Sequence, residues 1–233
     1  MKHILTLIGL LTLASCTKDT NNLIVKGTIK DLKKGTVYLQ KIEDSVFINV
    51  DSVQVNGNPN FELRSEIESP EVFFLHLNKT NKDAYGKIPF FADKGVTSIQ
   101  TTLKNFELNP TIEGSEQQAL FQEYLKMMAR YNDKNLELIK GELDAKKQND
   151  SLLIAENAKA FQNLLKSKYL YTINFAIRNN NSAVAPYVAL TEIYDAQIKW
   201  LDTINNALTP EIKATKYGRE LDAYIAKRKQ EIQ

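Results

Sequence analysis

The sequence predicts an α+β fold, an N-terminal antiparallel β-sandwich followed by a C-terminal helical bundle. Three observations carry that reading. Residues 23–114 hold short β-branched and aromatic runs separated by Gly, Pro, Asn and Asp. At Gly114-Ser115 the apolar period changes from two to about 3.6 and stays helical towards the C-terminus. Residues 1–22 fit neither pattern, being a basic start, an apolar run and a polar stretch.

In the sandwich, residues 23–29 and 36–42 flank Lys34-Gly35 and read as the first two strands. Residues 46–50 and 53–55 follow. Val46, Ile48 and Val50 share even parity whereas Val53 and Val55 are odd. Side chains alternate across a strand, so a bulge or break is required near Asp51-Ser52. Asn56-Gly57-Asn58-Pro59 is a turn, and Phe61-Glu62-Leu63 begins the returning strand. Residues 72–77, 88–91 and 97–100 continue the series, with Asp93-Lys94-Gly95 as a tight turn. The total is about seven to nine strands.

Ser115 is a good N-cap, with acidic Glu116 in the first turn behind it. Leu120, Tyr124, Met127, Met128 and Tyr131 recur at helical spacing, as do Leu136, Ile139 and Leu143. Asn149-Asp150-Ser151 breaks that run and caps a second helix carrying Phe161, Leu164, Leu165, Tyr169 and Ile173. Asn179-Asn180-Asn181 ends it, and Ser182 caps a shorter helix through Tyr187, Leu190 and Ile193. Thr209-Pro210-Glu211 combines an N-cap, a proline at N1 and an acid at N2. The last helix, over roughly 216–230, carries Leu221, Tyr224 and Ile225 on one face. About four or five helices are expected, packed together and against the sandwich.

Composition is that of an ordinary globular chain: 43% hydrophobic and 25% charged, with a net charge of +2. Lys and Glu are interspersed without a basic block, so nucleic acid is not an expected partner. The densest later apolar run, 184–190, is too short to span a bilayer. His76 is the one histidine after residue 22 and shares a strand face with Phe74. It reads as a structural or surface residue, because no sequence signal brings carboxylates to it as fellow metal ligands. No nucleophile elbow accompanies it for a Ser-His-Asp arrangement. Asp44-Ser45-Val46 and Asp51-Ser52-Val53 repeat seven residues apart. That odd spacing sets the two carboxylates on opposite strand faces and favours turn or bulge roles. The glycines form no phosphate loop. Phe73, Phe74, Tyr85, Phe90, Phe91 and Phe106 cluster in the later strands, as core or as the lining of a groove between sheet and helices. Met127 and Met128, with Tyr124 and Tyr131, read as core or as an adaptable interface. No catalytic residue, cofactor site or metal site is therefore expected.

Residues 1–15 have the basic, apolar and small-residue order of a signal peptide. Leu13-Ala14-Ser15-Cys16 resembles the bacterial lipobox, in which signal peptidase II cuts before a cysteine carrying diacylglycerol. The resemblance implies that Cys16 is lipidated, with its new amino-terminus acylated as well. Two or three chains would hold the protein stably to a membrane. Residues 16–22 then form the lipidated N-terminus and a polar tether, 23–114 the sandwich domain and 115–233 the helical domain. Cys16 is the single cysteine, so lipidation would leave no thiol for disulfides, redox chemistry or metal binding. Thr17, not Asp, follows it, which by the sorting rule of some Gram-negative lipoproteins points to the outer membrane, facing periplasm or cell surface.

A wider resemblance covers about residues 23–230. It is carried by Gly27-Thr28-Ile29, Gly35-Thr36-Val37-Tyr38-Leu39, Asp51-Ser52-Val53, Gly57 and Phe61-Glu62-Leu63. Glu113-Gly114-Ser115-Glu116, Ser182-Ala183-Val184-Ala185-Pro186-Tyr187 and Lys216-Tyr217-Gly218-Arg219-Glu220-Leu221 extend it. Together these resemble the uncharacterised N-terminal region of TlpA/ResA-like thiol–disulfide oxidoreductase lipoproteins of the cell envelope. In those proteins a thioredoxin-fold domain with a WCxxC-type motif follows. Here no CxxC is present and the sequence stops at Gln233, so no catalytic residue carries over. The expectation is a non-enzymatic, lipid-anchored envelope protein that binds a protein partner or a glycan. The alternative is a docking partner in trans for a separate thioredoxin-like oxidoreductase. An enzyme built on dispersed Asp, Glu and Tyr side chains is a third reading.

Overall fold

The computed structural model describes residues 22–80 and 83–231. Eight strands come first: β1 (Leu23–Lys30), β2 (Lys34–Glu43), β3 (Val46–Asn56), β4 (Asn60–Ser65), β5 (Glu71–Thr80), β6 (Asp83–Ala92), β7 (Gly95–Thr102) and β8 (Thr111–Glu113). They form two four-stranded sheets, ordered β4-β1-β7-β8 (sheet A) and β3-β2-β5-β6 (sheet B). Val25, Leu63 and Ile99 of sheet A meet Val37, Leu39, Phe73, Leu75 and Phe90 of sheet B in one buried core. The α+β class and the sandwich are as the sequence predicts.

Two connections differ from a simple antiparallel meander. The turn after β3 carries the chain into the other sheet, so β4 pairs with β1 and not with β3. β7 then enters sheet A alongside β1 in the same direction, making one parallel pair in mostly antiparallel sheets. Gly27 permits that pairing, since a Cβ there would stand 1.7 Å from the Ile99 carbonyl oxygen.

The parity switch in β3 is a bulge. Leu39 pairs with Asp51 and Gln40 with Asn49, which leaves Val50 as the extra residue. The Asp51 carboxylate accepts the Ser52 and Arg64 backbone N–H groups, both at 2.7 Å. Asp44 and Ser45, with φ of 48° and 67°, make the two-residue turn from β2 to β3. Both Asp-Ser pairs thus take the turn and bulge roles expected of them.

The outer edge of sheet B, strand β6, is closed to further strands. The Lys87 N–H donates to Glu107 Oε1 at 2.5 Å, Pro89 has no N–H, and the Phe91 N–H donates to Gln118 Oε1 at 2.7 Å. A Cβ at Gly86 would stand 1.6 Å from that same Glu107 carboxylate, so the glycine is what lets Glu107 approach.

Six helices follow: α1 (Glu116–Gln148), α2 (Ser151–Arg178), α3 (Val184–Glu192), α4 (Ile198–Ala207), α5 (Pro210–Lys213) and α6 (Lys216–Gln230). The Ser115 hydroxyl accepts the Gln118 N–H, and the Asp150 carboxylate accepts those of Leu152 and Leu153. α1 and α2 form a long antiparallel hairpin turning at left-handed Asn149, φ 55°. The count exceeds the expected four or five because α4 has no side-chain cap to announce it. α5 is also only one turn long, and α6 starts afresh on the Thr215 cap. α3 begins one residue later than expected, with Ala183 at the N-cap position. Ser182 still accepts the Val184 N–H. Leu136, Ile139 and Leu143 are helical as predicted, but they lie 63%, 42% and 54% exposed.

A second core gathers Val184 and Val188 of α3, Leu201 and Ile204 of α4, and Leu221 and Ile225 of α6. Val72 and Phe91 of sheet B join it. The helices therefore grip one end of the outer face of sheet B. Among the described residues no helix is long and apolar enough to cross a membrane.

Candidate functional site

The grip is made through backbone groups the sheet cannot satisfy itself. Val72 and Phe91 stand opposite each other on β5 and β6. Pairing of β2 with β5 ends at Lys41 and Phe73, so the Val72 N–H points where no strand lies. The Tyr217 hydroxyl accepts it at 3.0 Å. The Phe91 N–H points off the free edge, where Gln118 accepts it. An unpaired buried N–H is costly, so these two side chains fix how α6 and α1 seat on the sheet. Around them Phe91 meets Phe121, Tyr187 and Tyr217 edge-on at ring separations of 5.7, 5.6 and 6.0 Å, and Tyr187 lies 5.0 Å from Tyr217.

Above these rings opens a cleft of about 630 Å³. One wall is the β2–β3 turn, from Ile42 to Ser45, with Phe74. The other is Tyr187 and Thr191 of α3 with Lys216 and Glu220 of α6. At its inner end Lys216 Nζ lies 2.5 Å from Glu71 Oε2 and donates to the Ile42 carbonyl at 3.3 Å. The Lys216 N–H donates to Ser69 Oγ. Glu71 is only 7% exposed, and Lys216 is the cation that compensates its burial. Lys41 and Glu43 are likewise paired at 2.6 Å. Burial pushes the Glu220 carboxyl above the usual carboxylate range, with Lys216 pulling the other way. Burial also pushes the Tyr187 phenol up to about 12 and raises that of Tyr217 further. Both phenols are therefore protonated at neutral pH, and Lys216 is neutralised by Glu71. The cleft thus offers protonated phenols for hydrogen bonding beside a carboxyl, Glu220, that burial makes a weaker acid.

From the cleft a half-exposed aromatic strip continues across sheet B. Phe47 and Phe74 meet edge-on at 5.0 Å, and Lys87 Nζ sits 3.2 Å above the Phe47 ring. Tyr38 stacks on His76 at 6.0 Å. His76 Nδ1 lies 3.4 Å from the Gly86 carbonyl, on the same face as Phe74. No three His, Cys, Asp or Glu side chains among the described residues converge as a metal site.

Of the described side chains in the aromatic cluster, read as core or as the lining of a groove, Phe74 lines the cleft and Phe91 packs beneath it. Phe73, Phe90 and Phe106 fill the sandwich core. Met128 is buried in the helical core and Met127 packs against it. Asp44 stands at the cleft lip and Asp51 at the bulge. Cys16 and the segment before it lie outside the described residues, as does the Tyr85 side chain. Glu71, Lys216, Tyr217 and Glu220 escaped the sequence reading as a site. The Glu71–Lys216 pair joins residues 145 apart, a separation at which no spacing rule operates. An acid heading an otherwise apolar strand was the one local signal.

Residues 23–121 match the model of a family described as a domain of unknown function, DUF4369. The matched span takes in all eight strands and ends at Phe121, the α1 residue whose ring rests on Phe91. Comparison with curated proteins finds no match.

Proposed function

We propose that this chain is a lipid-anchored, non-enzymatic protein of the cell envelope, held to the outer membrane through Cys16, that binds a partner in the cleft between sheet B and helices α3 and α6. One observation carries the binding role. This cleft combines apolar walls (Ile42, Phe74) with hydrogen-bonding rims (Thr191, Glu220), and its one cation among the described residues, Lys216, is already paired with Glu71. The resemblance of its motifs supports reading the sandwich as the accessory region of TlpA/ResA-like lipoproteins, and the match to a domain of unknown function over 23–121 covers the same strands. Asn22 supports a short tether. Its amide exchanges two hydrogen bonds with the Ile67 backbone, which fixes Asn22 to one end of the sandwich. Five residues separate it from Cys16, so the two lie at most about 20 Å apart. The Asn22–Ile67 end of the sandwich would then lie against the membrane.

The test has two arms. Mass spectrometry of the exported protein should find Cys16 as a diacylated, N-acylated terminus; an unmodified terminus elsewhere removes the anchor. A photocrosslinking residue at Thr191, in cells, should yield a discrete adduct that one at exposed Lys26 does not. Equal adducts from both positions, or none, would remove the cleft. An adduct with a thioredoxin-fold protein would favour docking in trans; an adduct with a glycan or another envelope protein would favour the first reading.

A further inference from the structure

Beyond Tyr131 the α1–α2 hairpin leaves the rest of the molecule. α1 reaches the sheets and α3 through Gln117, Gln118, Phe121 and Gln122, all in its first two turns. Its 33 residues extend about 50 Å, so the far half stands clear. In that half the seam between the helices is weakly apolar. Leu138, Ile154 and Leu164 share it with Asn135, Gly141, Glu142 and Asn157, and Asn135 Oδ1 is buried without a partner among the described residues.

The larger apolar side chains stand outside the seam. Leu136, Ile139 and Leu143 each follow a seam residue by one position, as Leu165 does on α2. Viewed from one end, antiparallel helices wind in opposite senses, so these positions fall on the same side of the hairpin. With Phe161 they make one face of 42–63% exposed Leu, Ile and Phe. A free-standing hairpin would keep such residues in its seam; a layer of a four-helix bundle carries them on this face.

We propose that this face packs on the same face of a second copy, giving an antiparallel four-helix bundle with its two-fold axis along the hairpin. Three features fit a like partner. The free stretch, about 25 Å long and two helix widths across, would bury about 1,000 Å² in total, the threshold for a specific interface. The axis sets α1 of one copy over α2 of the other. Counted from the tip, Ile139 and Leu143 then stand level with exposed Ala155 and Ala158, small residues that leave room for them. Part of the surrounding charge is already paired within one copy, Lys146 with Glu142, Lys147 with Asp144 and Lys134 with Glu137, which lessens repulsion between like faces.

Sedimentation velocity on the exported full chain carrying Cys16→Ala, over a concentration series, tests this. A monomer–dimer equilibrium is expected in the micromolar range. Ile139→Glu and Leu143→Glu should each raise the dissociation constant at least tenfold, with circular-dichroism melts unchanged, while Phe47→Glu on sheet B should leave it unaltered. A chain still monomeric at about 100 µM overturns the proposal, as does a dimer indifferent to both hairpin substitutions. A monomer that floats with phosphatidylglycerol vesicles through Ile139 and Leu143 also overturns it and assigns the face to lipid.

Discussion

Tyr217→Phe isolates one hydrogen bond on which the seating of the helices depends. The phenyl ring keeps the contacts with Phe91 and Tyr187 at 6.0 and 5.0 Å. What disappears is the oxygen that accepts the Val72 N–H, at a position where Tyr217 is only 8% exposed. A buried N–H left without an acceptor costs about 1–3 kcal/mol, against little change in apolar burial. For a chain of this length about 2 kcal/mol lowers the melting temperature by roughly 4–8 °C. Tyr187→Phe is the matched control: it deletes a hydroxyl that bonds to none of the described residues, and it should melt within about 1 °C of the parent. Calorimetry measures both, and amide exchange should show lost protection at Val72 in Tyr217→Phe alone. If Tyr217→Phe melts with the parent and Val72 keeps its protection, the helices are not held by this bond and the reasoning fails.

Three further outcomes follow from the same contacts. The phenols of Tyr187 and Tyr217 are raised by burial, to about 12 for the former, so above pH 10 the folded state keeps protons that the unfolded state releases. Stability should be unaffected by these groups below about pH 10 and fall above it by about 1.4 kcal/mol per pH unit for each. Urea midpoints at pH 9, 10 and 11 should fall less steeply in Tyr187→Phe, and identical slopes would contradict this. Lys216→Met strands the Glu71 carboxylate and should cost about 2 kcal/mol, below the usual range for a fully buried pair because the Lys216 side chain is 28% exposed. Adding Glu71→Gln should recover about half, measured by denaturant unfolding as a double-mutant cycle. Gly86→Ala should displace Glu107 from the Lys87 N–H, cost about 1–2 kcal/mol and raise aggregation measured by light scattering, because the β6 edge is then open.

The sandwich was legible where its physics is local. The parity change at Val53 required a bulge, and the extra residue is Val50; Asp-Ser punctuation became a turn and that bulge. Which sheet β4 joins was not legible, since Asn56-Gly57-Asn58-Pro59 specifies a reversal without specifying a partner. Nor was the parallel β1–β7 pair, which depends on contacts some 70 residues apart. In the helical half, side-chain caps marked α1, α2 and the start of α5. α4 was missed because Gln197 offers no cap and its ten residues give a short periodic signal. Periodicity found Leu136, Ile139 and Leu143 but could not tell a buried face from an exposed one. The aromatic cluster left core and groove lining undecided, and the polar residues that shape the cleft come from opposite ends of the chain.

The two hydrogen bonds that seat the helices also set which substitutions the interface tolerates. Gln118 and Tyr217 address main-chain N–H groups, which every residue but proline supplies. At 72 and 91, then, any apolar side chain of suitable volume keeps the bond, whereas at 118 and 217 the acceptor itself must be present. Saturation mutagenesis should return broad tolerance on the strands and a narrow set on the helices. The specificity of the joint is thus written on one side of it, and relatives with diverged strands could keep the same docking angle while Gln118 and Tyr217 persist.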